Sequence, residues 1–155
     1  VRVVSDSGTN LRLHPATGAV AATDPALRYA AGDARAGQPT SITAAGHTYN
    51  KSNDKLTTNY AIDIKAGTLV TQGSKEGTDP AVSPNTGQLR TVGSLDVEGI
   101  EDAALDISDI NNTAVAALKT GGKTRLYLVD LASGKATLTG TVAASGGLRG
   151  MAIEP

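Results

Sequence analysis

A chain of 155 residues with 14 Lys+Arg against 15 Asp+Glu and no Cys, Trp or Phe is the size of one domain, and its composition excludes several chemistries. Without cysteine there is no disulfide framework, thiolate zinc site or cysteine nucleophile. A formal net charge of -1 gives no general electrostatic grip on nucleic acid, and no apolar run approaches the ~18 residues of a membrane span.

The chain reads as many short strands. Val1-Arg2-Val3-Val4 opens a strand over residues 1–5, Leu11-Arg12-Leu13 alternates within a strand over 10–14, and a third strand covers 19–23. Residues 26–36 are Ala-rich but interrupted by Gly32; they read as a loop with one helical turn, inside a long connection over 25–40 where Tyr29 packs the loop onto the strands. Four strands follow over 41–49, 57–64, 68–73 and 88–93, with Tyr60, Ile62 and Ile64 on one face of the second. Four more cover 102–107, 113–119, 124–131 and 135–142. A last strand is expected over 148–154.

An internal repeat carries the fold assignment. Ala16-Thr17-Gly18, Asn85-Thr86-Gly87 and Ala132-Ser133-Gly134 are the same small-polar-Gly turn, in which Gly supplies the positive φ of a tight hairpin. Ala45-Gly46-His47-Thr48, Ala104-Leu105-Asp106-Ile107 and Ala152-Ile153-Glu154-Pro155 align as the strands that begin each unit. The last two lie 48 residues apart and the first two 59 apart, the excess fitting a polar insertion over residues 74–84. A period near 45 residues with four strands per unit is the pattern of propeller blades. The expectation is one all-β, β-propeller-like domain over 1–155, with about three four-stranded antiparallel blades: 1–24 plus 148–155, 41–95 and 102–142. Three blades fall short of the ~4–8 of a closed ring, so the ring in one chain is incomplete.

The residues also resemble a known family. The run from Val1 to Asp24 (VRVVSDSGTNLRLHPATGAVAATD) is similar to the opening of the C-terminal part of the bacterial domain-of-unknown-function family 4394. Tyr29-Ala-Ala-Gly-Asp-Ala34, Leu69-Val-Thr-Gln72, Leu89-Arg-Thr-Val-Gly-Ser-Leu95 and Arg149-Gly-Met-Ala152 extend the resemblance along nearly the whole chain. It implies a β-propeller-like repeat and a secreted bacterial protein, with about two N-terminal blades of the family's ring missing, and it carries no catalytic residue. The Thr-, Ala- and Gly-rich composition also suits a secreted or surface protein, and an opening Val in place of Met suits a processed chain or fragment.

The aligned starting strands place His47, Asp106 and Glu154 at equivalent positions. Imidazole plus two carboxylates is a competent set for a divalent metal such as calcium, and a metal-bound water there would serve a channel-sited hydrolase or lyase. The alternative is that each caps its strand or hydrogen-bonds a neighbouring backbone, with no cofactor. Asp106, Asp109, Asn111 and Asn112 form an oxygen-rich turn without the spacing of a calcium loop; such side chains ordinarily satisfy the turn backbone. Gly121-Gly122-Lys123-Thr124 lies between strands and reads as a hairpin turn. The polar stretch 74–86 is either a surface insertion or a partner-contact loop.

The leading expectation is a non-catalytic secreted binding or structural protein, with the metal-dependent hydrolase or lyase as the rival. Val3, Leu11, Val115 and Leu128 are expected on open flanks, covered either by a second copy or by a chain supplying the missing N-terminal blades. In the two-copy arrangement, residues 148–154 of each chain pair with residues 1–5 of the other.

Overall fold

A computed structural model describes residues 1–53, 55–143, 148 and 150–154. They form twelve strands and, apart from one 3-10 turn at Pro84–Thr86, no helix among the described residues. The strands make three sheets. The first contains β1 (Arg2–Val4), β2 (Asn10–Leu13) and β3 (Val20–Thr23) in that order. The second has the order β4-β8-β7-β6-β5, from β4 (Arg28–Tyr29), β5 (Ile42–His47), β6 (Asn59–Asp63), β7 (Thr68–Gln72) and β8 (Gln88–Ser94). The third runs β12-β11-β10-β9, from β9 (Ile100–Ile107), β10 (Ala114–Thr120), β11 (Lys123–Val129) and β12 (Ala136–Thr141). Neighbouring strands within each sheet pair antiparallel except β4, which joins β8 in parallel.

The second sheet is the middle layer. One face of β6 and β7 presents Tyr60, Ile62 and Leu69 to Leu105, Ala116 and Leu118 of the third sheet. The other presents Ala61 and Val70, which pack with Ile42 and Leu89 against Leu27, Tyr29 and Val4. With no solvent face, β6 and β7 read as short continuous apolar runs rather than alternating ones. Ile62, Leu69 and Leu118 are wholly buried, and each such side chain stabilises by roughly 1.5–3 kcal/mol. Starting strands lie side by side, β1 next to β5 and β5 next to β9. At the outer end, Ala136 N–H donates to Leu95 O at 3.1 Å, joining the second and third sheets where Gly93 and Gly134 meet backbone to backbone.

The repeated turns form as their sequence requires: Gly18, Gly87 and Gly134 have φ of 69°, 69° and 85°. Four expectations need correction. The sheets have three, five and four strands rather than four each. The extra strand is β4, at the start of the segment read as a loop with a helical turn; Leu27 and Tyr29 enter the core around an exposed Arg28, and Arg28 N–H and Ala30 N–H bond Gly87 O and Leu89 O. The described residues of 148–154 form no strand; Ile153 N–H instead donates to the Asp106 carboxylate at 2.6 Å, so Ile153 lies against β9 of the third sheet. Strand β1, rather than this segment, occupies the starting position of the first sheet beside β5.

Candidate functional site

Of the three aligned polar residues, His47 ends β5 exposed, with Nδ1 3.2 Å from Thr48 O. Asp106 is half-buried in β9 and holds Ile153 N–H, and Glu154 is exposed one residue further on. The backbones approach, since Gly46 abuts Ile107. Among the described residues, however, no three His, Asp or Glu side chains cluster to hold a metal ion. In the oxygen-rich turn, Asn111 and Asn112 are engaged with backbone groups. Asn111 Oδ1 accepts from Thr113 N–H, and Asn112, at φ 58°, makes two bonds to the backbone of Tyr49 at 2.8 and 3.0 Å. That pair ties the end of β5 to the β9–β10 turn.

Two buried polar clusters were not apparent from alternation, which assigns polar strand residues to solvent. In the first, Asp63, wholly buried, accepts from Tyr29 Oη at 2.8 Å, Ser41 N–H at 3.1 Å and Ala66 N–H at 3.0 Å. Burial, and then the bond to Asp63, pushes the Tyr29 phenol above its ordinary value. In the second, Asn10 Oδ1 accepts from Arg2 at 2.6 Å and from Gln72 at 3.0 Å, and Gln72 also donates to Pro84 O. Arg2 continues to Asp24 and Asn85, while Arg12 makes a two-pronged pair with Asp24 at 3.0 Å. This chain of bonds docks the first sheet onto the second.

A hydrogen bond from Arg12, against the opposing effect of burial, and then one from Arg2 hold Asp24 below the usual carboxylate range. A depressed folded value means that the stability it carries is present above the ordinary value of about 3.9 and is lost as pH falls through the folded one. Asp33, Glu101 and Asp130 are also lowered and share the acid slope. Asp24→Asn is expected to flatten the fall in Tm between about pH 4 and pH 2. A slope identical to that of the parent would show that this tie carries none of it.

The polar stretch after β7 is a pinned loop over a cleft. Ser74 N–H donates to Val82 O and Val82 N–H to Ser74 Oγ, both at 2.9 Å. Glu76 N–H is held by Thr58 Oγ1 at 2.9 Å. Beneath it is a cleft of about 500 Å³. Its apolar wall is Pro80, Val82 and Val92, and its charged groups are Lys75, Asp79 and Arg90. The Lys75 ammonium sits 6.0 Å from the Tyr60 ring centroid and 3.5 Å from Leu131 O.

The outward faces of the first and third sheets are apolar. In the first, Val3, Leu11, Leu13 and Val20 share a face opposite Arg2 and Arg12, with Val1 and Val20 71% and 59% exposed. In the third, register aligns Val115 with Leu128 and Ala117 with Leu126, on the side away from the buried Tyr127 and Val129. Leu128 is 45% exposed; Ala104, Ala117 and Leu148 line one small pocket on this sheet. Val3, Leu11, Val115 and Leu128 thus all lie on outward faces, with Leu11 and Val115 half-buried.

A family model described as a domain of unknown function, DUF4394, matches residues 1–152. No curated protein and no solved structure matches the chain. With nearly its whole length covered by that one model, the chain belongs to the DUF4394 family.

Proposed function

We propose that this chain is a non-catalytic, secreted binding or structural protein whose three sheets are blades of an incomplete β-propeller. The observation that carries the reading is the pair of outward apolar faces on the first and last sheets, with the starting strands β1, β5 and β9 side by side between them. Blades arranged around an axis bury such faces against their neighbours, and large exposed apolar faces mark interfaces. A second copy related by two-fold symmetry covers both at once, setting the Val3 and Val20 face of each chain against the Leu128 face of the other. A separate chain carrying further N-terminal blades is the competing arrangement. Secretion rests on composition and on the family resemblance, and recovery of the protein from culture medium tests it.

Light scattering at micromolar concentration tests the assembly. The expected mass is that of two chains, falling to one in Val3→Asp and in Leu128→Asp while far-UV circular dichroism stays unchanged, because both side chains are exposed in the single chain. A parent protein that remains at the mass of one chain overturns the two-copy arrangement.

A further inference from the structure

We infer that the cleft between the 74–82 loop and β8 binds a small organic monocarboxylate with a compact apolar body. This deepens the binding part of the reading above. The volume, about 500 Å³, lies within the range of small-molecule sites, which are apolar with a few placed polar groups. Much of the wall's polar capacity is already engaged. Thr71 Oγ1 donates to Gly73 O, Thr91 Oγ1 donates to Asp33, and Ser74 Oγ accepts from Val82 N–H. Among the described residues, Lys75 and Arg90 form no ion pair, Lys75 spends one of its three ammonium donors on Leu131 O at 3.5 Å, and the Thr78 hydroxyl has no hydrogen-bond partner.

The groups left available are therefore chiefly donors, two of them cationic, and they call for a charged acceptor. Pro80, Val82 and Val92 call for an apolar body behind it. Asp79, the cleft's single carboxylate, disfavours a second negative charge on the ligand. The lip is built to hold shape: besides its two bonds to Val82, the loop turns at Gly73, where a Cβ would come within 2.6 Å of Val82 O. A binding surface held in advance loses less ordering entropy when occupied.

The test is an amide NMR titration with three probes: benzoate, benzyl alcohol as the same body without charge, and inorganic phosphate as charge without the body. Benzoate is expected to give saturable shifts at Thr78, Val82 and Thr91. Arg90→Gln and Lys75→Gln are each expected to weaken it about tenfold, the loss of one charge-assisted contact, while Lys123→Gln, in the distant β10–β11 turn, leaves it unchanged. Absence of saturable shifts, equal affinity for benzyl alcohol or for phosphate, or indifference to both cleft variants each overturns the inference. A chain that stays at single-chain mass yet binds benzoate overturns the two-copy ring alone. A dimer without benzoate shifts overturns the cleft alone.

Discussion

Asp63→Ala is expected to destabilise the chain by about 4 kcal/mol, because it strands two buried donors and a half-buried one at roughly 1–3 kcal/mol each. Tyr29 Oη, Ser41 N–H and Ala66 N–H all end on this carboxylate, which lies at the corner where β6 turns toward β7. In the folded chain the carboxylate is shielded from water: Asp63 is 0% exposed, and Tyr29 and Ser41 are buried beside it. Tyr29→Phe removes a single bond and leaves Asp63 two others, so about 1 kcal/mol is expected. In the Asp63→Ala background the same Tyr29→Phe change removes an orphaned hydroxyl and should cost nothing or stabilise. Denaturant unfolding followed by far-UV circular dichroism measures all four corners of this cycle, the chain having no Trp to report by fluorescence. Strict additivity, or a loss below about 1 kcal/mol in Asp63→Ala, would remove the cluster from the account of how the β4 segment is fastened.

The second large effect is expected at Gly93, where alanine should cost about 3 kcal/mol by forcing two sheets apart. A Cβ there would lie 2.0 Å from Ser133 O, and one on Gly134 would lie 2.7 Å from Gly93 O. Both obstacles are backbone, so no side chain can swing aside. The contact is also where Ala136 N–H reaches Leu95 O, so separation would break a bond between the second and third sheets. Gly140→Ala is the control: it too lies in a strand, with no atom within 4 Å of its Cβ position, and should change stability by less than about 0.5 kcal/mol. Equal Tm shifts in the two variants would mean that close approach at Gly93 is not what limits the fit.

The repeated Gly turns were legible because they are local. A positive φ after a small polar pair is a property of three or four residues, and Gly18, Gly87 and Gly134 adopt it wherever their strands go. Alternation gave the strands of the third sheet to within a few residues for the same reason. The candidate site was much less legible. His47, Asp106 and Glu154 align in sequence, but equivalence of position did not bring their side chains into a cluster among the described residues, and Asp106 serves the backbone of Ile153. The cleft under the 74–82 loop joins residues of β7, β8 and the loop; only the pairing of Thr71 with Arg90 sets them together.

By itself, the sequence determined an all-β chain of short strands joined by tight turns, because strand period and turn chemistry are set by neighbours along the backbone. It also placed Val3, Leu11, Val115 and Leu128 on faces away from the core. Tertiary structure decided how many strands each sheet holds and where the polar residues go. Leu27 and Tyr29 gain more from the core beside Val70 and Leu89 than from a helical turn, so the segment crosses to β8 as a fifth strand. Asn10, Gln72 and Asp63 are strand residues that alternation would leave in water, yet Gln72 and Asp63 are buried because β6 and β7 have no solvent face, Asn10 of β2 is buried against Gln72, and each finds partners on another segment. Burying a polar group without such partners is costly, and their presence depends on packing between segments distant in sequence.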